Sequence, residues 1–197
     1  MGKGIPAVAA LMASAMLPLT YAGRASAATT AATPTATITS ITLETRQAPG
    51  TLPGTASASF PTYFNSLPVG QPGYTKTPLQ LSKYDSISNS PNVAGGSMQN
   101  IAYHVQVKFT TPKDGEFKAQ FGMDFGYGGV AIMDGTTYSL ISRDIMFQGD
   151  WTKSFSITAN TVAGAHVIDI YGVENCCDSP SSARYSYLGS AWTTLQK

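Results

Sequence analysis

The chain has 197 residues, of which 12% are charged, with 12 Lys and Arg against 11 Asp and Glu. This balance gives no electrostatic footprint for nucleic acid or for an anionic membrane surface. The length allows one domain with a substantial core. Glycine, serine, threonine, alanine and tyrosine are abundant, which is typical of an exported protein built from β-strands.

Residues 1–27 predict an export signal that is cleaved. Lys3 precedes an apolar run over residues 5–22, and small residues at 25–27 complete a cleavage site. Two prolines interrupt the run, which disfavours the alternative of a membrane anchor. We therefore expect a mature chain that begins at Ala28 without a membrane span. It would be secreted, at the cell surface or outside it, with the periplasm as the alternative.

Residues 28–34 predict a flexible leader, and residues 35–197 predict a single β-sandwich domain. The β-branched segment 35–46 favours a strand. The next segment, 47–96, holds seven prolines, which disfavour long central strands. Its apolar residues favour an ordered excursion with short edge strands over a disordered linker. These apolar residues are Phe60, Tyr63, Phe64, Leu67, Leu79 and Leu81.

Regular strands begin at residue 101. Apolar residues alternate along 101–109 and again along 116–124, as expected for strands with one buried face. Asp134-Gly135 predicts a tight hairpin. Further strands are predicted at 130–133, 136–141, 151–158, 165–171 and 183–188. Because helical periodicity is nearly absent, the chain is predicted to be all-β, an antiparallel β-sandwich or jelly roll.

The order of motifs between residues 105 and 171 resembles a known family. The motifs are Pro112-x-x-Gly115-x-Phe117, Asp124 followed by Gly126, Gly128 and Gly129, Asp134-Gly135, and Ala163-Gly164-x-His166-x-Ile168-x-Ile170-Tyr171. This pattern resembles the protective-antigen-type β-sandwich, a lectin-like domain of bacterial toxins, glycosidases and yeast adhesins. In its sugar-binding members, adjacent aspartates hold a calcium ion that contacts the sugar. The present chain has no Asp-Asp pair, and only Asp134, preceded by Met133, matches part of that position.

The only two cysteines, Cys176 and Cys177, are adjacent. In an exported protein they can bond to each other, bond to another chain, or remain as two thiols. Neighbouring Cα atoms lie about 3.8 Å apart, below the roughly 4.4–6.8 Å of most disulfides, so a vicinal bond would lock a tight turn. Such a disulfide would present a rigid, apolar tip beside Asp178.

Seven residues at predicted strand ends and turns are candidate ligand-binding residues: Asp124, Tyr127, Asp134, Trp151, Glu174, Asn175 and Asp178. Carboxylates accept sugar hydroxyls, and Tyr127 and Trp151 offer rings on which a sugar can stack. Asp124 and Asp134 are candidate calcium ligands, because calcium takes several oxygens from loops. The alternative is that these acids bond their own turns. His104 and His166 lie within predicted strands, which favours structural roles.

These observations predict a secreted, non-catalytic binding module, lectin-like or adhesin-like, whose partner is a carbohydrate or cell-surface glycan. The alternative is a structural surface, matrix or fibre subunit that self-assembles when the strand at 35–46 adds to a neighbour's sheet edge. An exported hydrolase is the least favoured hypothesis, since the sequence contains no nucleophile elbow, zinc-protease motif, P-loop or dinucleotide fingerprint.

Overall fold

The computed structural model describes Met1 and residues 33–49, 58–89, 93–141 and 143–197. The export signal and most of the leader predicted from the sequence lie outside the described residues. The described elements are β1 (Thr37–Gln47), α1 (Ser59–Ser66), β2 (Leu79–Gln80), β3 (Gln99–Thr111), β4 (Gly115–Gly122), β5 (Asp124–Phe125), β6 (Gly129–Met133), β7 (Thr136–Ile141), β8 (Ile145–Met146), β9 (Phe155–Thr161), β10 (Gly164–Cys176), β11 (Ser182–Tyr187) and β12 (Thr193–Thr194).

Two antiparallel sheets form the sandwich. The larger has six strands in the order β2-β1-β3-β10-β6-β7, and the smaller has four in the order β12-β11-β4-β9. The short strands β5 and β8 form a separate ribbon. The all-β antiparallel sandwich predicted from the sequence is therefore confirmed. β3 and β10, which pair along almost their full lengths, form the centre of the larger sheet.

The alternating residues of β3 and β4 supply the facing layers of the core. Tyr103, Val105, Val107 and Phe109 are all buried on one side of β3, as the period-two pattern predicted. Phe109 stacks on Phe117 of β4, with ring centroids 4.2 Å apart. Phe117, Ala119 and Phe121 are in turn buried on one side of β4, as was also predicted.

The hairpin between β6 and β7 turns at Asp134-Gly135, as the sequence indicated. Both turn residues have positive φ, 49° for Asp134 and 79° for Gly135. Two consecutive left-handed residues match the twist of the flanking strands, and Asp followed by Gly tolerates that conformation best. The turn therefore fixes the position of the Asp134 side chain at one end of the sandwich.

The helix α1 was not predicted from the sequence. It packs on the outer face of the six-stranded sheet, where Phe60 and Phe64 lie one helical turn apart and contact a small cluster containing Val130 and Val173. Pro61 lies in the first turn, where a missing amide hydrogen breaks no helical bond. The proline content of this segment therefore excluded central strands but did not exclude a short helix.

The remainder of the described excursion lies against the sandwich. β2 is a short edge strand beside β1, and Tyr74, Leu81 and Tyr84 are buried. The predicted assembly strand, β1, pairs with β3 from Thr37 to Gln47, so one of its two edges is already used within the chain. None of the described helices is long and apolar enough to cross a membrane.

Gly172 provides a test of the central packing. A Cβ atom at this position would lie 2.1 Å from the Phe125 ring, which is 1% exposed. We expect Gly172→Ala to lower the free energy of unfolding by about 1–3 kcal/mol, because the ring has no free space to enter. Urea titration measures the change, with Ala165→Ser, at an exposed position of the same strand, as control. Equal midpoints for all three proteins would contradict this packing.

Candidate functional site

The end of β10 and the loop that follows it carry the two cysteines, with Cys176 as the last residue of the strand. We call residues 174–179 the cysteine loop. Cys176 and Cys177 form a disulfide, with Cα atoms 3.8 Å apart. Asn175 and both cysteines are exposed, whereas Glu174 and Asp178 on either side are only 3% and 5% exposed. The loop therefore presents a sulfur-containing tip between two buried carboxylates.

Glu174 fixes the start of the loop. One carboxylate oxygen accepts a hydrogen bond from the Gly126 amide at 2.7 Å, and the other accepts one from the Cys176 amide at 2.7 Å. Gly126 belongs to the turn after β5, where an added Cβ would approach Glu174 to 3.3 Å. A single side chain thus ties the disulfide to the neighbouring turn and satisfies two backbone amides.

Asp178 fixes the end of the loop. Its carboxylate accepts hydrogen bonds from the Tyr103 hydroxyl and from the Asn89 amide, the latter at 2.6 Å. The carbonyl of Met98 accepts hydrogen bonds from the amides of Cys177 and Asp178. Asn89, which is fully buried, also donates to two further carbonyls. The disulfide tip is therefore anchored to β3 and to the excursion that precedes it.

Asp124 is the third buried carboxylate at this end of the sandwich. One of its oxygens accepts hydrogen bonds from the amide and the hydroxyl of Ser179, at 3.0 and 2.5 Å. The side chain is 3% exposed. Asp124 therefore anchors Ser179, the residue that follows Asp178. These hydrogen bonds lie inside the protein rather than at its surface.

Burial changes the acidity of two of these carboxyls. It raises the pKa of Glu174 from 4.5 to about 6, and the nearby charge of Asp124 adds to this rise, while the amides of Cys176 and Gly126 oppose it. Burial likewise raises the pKa of Asp178, against the hydrogen bonds from Tyr103 and Asn89. In both carboxyls, desolvation disfavours the charged form and hydrogen-bond donors favour it. The pKa rises because desolvation is the larger effect.

The predicted pair of calcium ligands does not form one site. Asp134 lies beside His166 near the start of β10, whereas Asp124 lies near the end, beside Glu174. His166 and Glu174 are eight residues apart on an extended strand, a separation of roughly 26 Å. Nowhere in the described parts of the chain do three or more His, Cys, Asp or Glu side chains come together in an arrangement that could hold a metal. Asp124 and Asp134 therefore cannot share one calcium ion.

Asp134 performs a local task at its own end of the sandwich. One carboxylate oxygen accepts a hydrogen bond from the Val167 amide at 2.9 Å, and the other lies 2.7 Å from Nδ1 of His166. Nε2 of His166 faces the Val162 carbonyl at 2.9 Å. The side chain of Asp134 thereby joins the β6–β7 hairpin to β10 and does not join the other candidate ligand residues.

Tyr127 lies in the turn between β5 and β6 and is half-buried against the cluster under α1. Its amide donates to the Val173 carbonyl at 3.0 Å, which holds the turn against β10 immediately before Glu174. The Tyr127 backbone therefore lies next to the start of the cysteine loop, whereas its ring packs on the cluster under α1.

Trp151 lies in the segment between β8 and β9. Its ring packs edge-on against Phe147 with centroids 4.6 Å apart, and the guanidinium of Arg184 lies 4.1 Å from the ring centre. Phe147 also lines a groove of about 300 Å³ beside the cysteine loop. The groove is bounded by Ser86, Phe147, Gln148, Gly149, Ser179, Pro180 and Ser182.

Several residues of this region were missed by sequence reasoning. Asn89 follows the proline-rich part of the excursion, and Tyr103 was assigned only to the core. Arg184 and Trp192 were not selected as ligand residues, although Trp192 is 42% exposed. The sequence shows only that the chain has two tryptophans, and the exposure of Trp192 is seen in the structure alone.

No protein-family model and no curated protein matches the sequence. Among solved structures, the PA14 domain of the antifreeze protein MpAFP has a TM-score of 0.52 at 11% identity, covering 79% of this chain and 86% of that one. The chain has the fold of a PA14 domain. The PA14 sugar-binding domain of an RTX adhesin has a TM-score of 0.49 at 10% identity, with 80% of this chain and 95% of that one covered. An Epithelial Adhesin 9 A domain from Candida glabrata has a TM-score of 0.48 at 8% identity, with 80% of this chain and 89% of that one covered.

The raised pKa of Glu174 predicts a dependence of stability on pH. Because folding raises this pKa from 4.5 to about 6, the folded protein binds the proton more tightly than the unfolded chain. The resulting stabilisation is fully present below pH 4.5 and is lost as the pH rises through 6. The side chain in Glu174→Gln is neutral at every pH, so the variant should not lose this stabilisation as the pH rises. Between pH 4 and pH 8, we expect the free energy of unfolding of the variant to rise by up to about 2 kcal/mol relative to that of the wild type.

Urea unfolding at half-unit pH intervals measures this gain. The difference between the two proteins, rather than either curve alone, isolates Glu174 from Asp178, whose pKa is also raised. A constant difference across the whole pH range would show that Glu174 does not titrate in this window.

Proposed function

We propose that the protein is an extracellular, non-catalytic carbohydrate-binding module that binds its ligand at the cysteine loop and the adjoining groove. The observation that carries the proposal is the exposed disulfide held between buried Glu174 and Asp178. Both carboxylates are used to anchor the backbone, so the tip is rigid before any ligand arrives. A rigid loop loses little conformational entropy on binding, which favours recognition of a weakly held ligand.

The chemistry of the surface suits a sugar. The disulfide offers an apolar surface at the tip. The neighbouring groove, lined in part by the edge of Phe147, adds the hydroxyl oxygens of Ser179 and Ser182 as acceptors, since their protons are already donated to Asp124 and Asp85. A pyranose presents apolar C–H groups on one face and hydroxyls at its edge. Sites that bind small ligands commonly combine an apolar lining with a few polar groups in this way. The lectin-like resemblance of the sequence motifs supports the same ligand class.

The three buried carboxylates take a different role from the one expected at first. We infer that Asp124, Glu174 and Asp178 position the loop and that the sugar contacts come from the exposed residues Asn175 to Cys177. Each carboxylate already accepts two hydrogen bonds from the protein. Direct contact with a sugar would leave one of those buried donors unsatisfied, at a cost of about 1–3 kcal/mol.

A glycan and polysaccharide panel tests this function on the full chain. We expect at least one carbohydrate to bind, and the double variant Cys176→Ser/Cys177→Ser to lose at least tenfold in affinity, since the tip loses its rigid apolar surface. Binding should be equal with calcium and with chelator, because the nearby carboxylates do not form a metal site.

Two further variants make the result decisive. Asn175→Trp places a bulky group at an exposed position of the tip and should block binding even if the double cysteine variant fails to fold. Ala165→Ser alters an exposed residue at the far end of β10 and should bind like wild type. Absence of binding to every carbohydrate by wild type would refute the proposed function, as would full binding by Asn175→Trp.

A further inference from the structure

Two indole rings enclose Arg184 on the outer face of the four-stranded sheet. Arg184 lies in β11, in register with Gln120 of β4 on one side and Thr194 of β12 on the other. Its neighbour Ala183 is buried in the core, so the alternation of the strand directs the Arg184 side chain away from the core. We call Gln120, Trp151, Arg184 and Trp192 the Trp–Arg cluster.

The guanidinium of Arg184 is held between the two rings. Its central carbon lies 4.1 Å from the Trp151 ring centre and 4.6 Å from that of Trp192. Trp151 is supported from behind by the buried ring of Phe147. Cation–π contacts within about 6 Å are attractive, and two of them restrict the rotamers of an otherwise flexible side chain. The cation is therefore fixed in place at the surface.

Gln120 occupies one edge of the guanidinium. Its side-chain oxygen accepts hydrogen bonds from Nε of Arg184 at 2.8 Å and from Nη2 at 2.6 Å. A guanidinium has five N–H donors in one plane. Three donors are left over, two on Nη1 and one on Nη2. One donor from each of these nitrogens points to a second edge of the fork. This edge has the geometry that receives the two oxygens of a carboxylate.

The positive charge of Arg184 has no acidic partner among the residues that the structure describes. The ion pairs there join other residues, and the nearest comparable cation on this sheet, Lys118, is paired with Glu116 at 2.7 Å. Desolvation between the rings lowers the pKa of Arg184, but an arginine remains protonated at any ordinary pH. A fixed and uncompensated cation with a free fork is complementary to an anion.

We propose that the Trp–Arg cluster is a subsite for an acidic glycan, with a uronate carboxylate on the open edge of Arg184 and a pyranose face on the exposed ring of Trp192. The inference rests on the proposed function in taking the ligand to be a carbohydrate, and it adds the chemical class of that carbohydrate. Trp192 is 42% exposed, which leaves room for a sugar ring. Tryptophan provides the broad apolar surface on which such rings stack.

The cluster continues the groove beside the cysteine loop. Ser182, which lines that groove, precedes Arg184 by two residues on the same face of β11. Two residues of a strand span roughly 6.6 Å, about the size of one sugar unit. A linear oligosaccharide can therefore contact the groove and the cluster together, with its charged unit at Arg184.

Oligomers of polygalacturonate and their methyl-esterified forms are the probes, titrated calorimetrically into the full chain at fixed ionic strength. The acidic oligomers should bind, and Arg184→Gln and Trp192→Ala should each weaken that binding at least tenfold. Esterification removes the carboxylate and should weaken binding by wild type to a similar degree. This last comparison needs no variant, so it holds even if Arg184→Gln fails to fold.

Lys118→Gln is the matched control, since it removes one positive charge from the same face but leaves the cluster intact. We expect a change of less than twofold. An equal loss in Lys118→Gln and Arg184→Gln would overturn the inference by showing long-range attraction alone. Neutral glycans bound as tightly as acidic ones and lost only in the cysteine variant would overturn the subsite but keep the proposed function. Binding of neither class would overturn both.

Discussion

The cysteine loop depends on the cost of burying a carboxylate. Glu174 and Asp178 are almost fully buried, and a charge without donors in such a place would be strongly unfavourable. Each therefore binds two donors, which come from turns and strands distant in the chain. These hydrogen bonds fix the backbone on both sides of Cys176 and Cys177. The short disulfide ring alone would constrain little of the unfolded chain, so the loop owes its position to the carboxylates.

The two ends of β10 use similar residues for different purposes. At the first end, the Asp134 carboxylate meets the His166 ring, and the other ring nitrogen faces the Val162 carbonyl, so both nitrogens serve to hold the hairpin and the preceding turn together. That arrangement leaves the histidine no free edge. At the second end, the acids face inward and leave the tip exposed. Residue type alone therefore did not distinguish an anchoring group from a ligand-binding one.

The sequence predicted features that depend on neighbours along the chain. Alternation in β3 and β4 and the Asp134-Gly135 turn are local, and each is found in the structure. The disulfide between the adjacent cysteines is one of the three states that the sequence left open. Contacts between segments that are distant in the chain could not be predicted from the sequence. The bond from Asn89 to Asp178 spans 89 residues, and neither residue indicates its partner. The helix was missed for another reason, because Pro61 is compatible with a first helical turn as well as with a loop.

The two outer faces of the sandwich differ in what covers them. On the six-stranded sheet, Phe60 and Phe64 of α1 bury the apolar residues Val130 and Val173, so this part of the face is covered by the chain itself. On the four-stranded sheet, the outward positions of β4 and β11 are polar, and their alternation leaves the buried residues to the core side. A polar face needs no cover for stability. Tryptophan on such a face gains little from the fold alone, and this favours a ligand as the reason for the ring of Trp192.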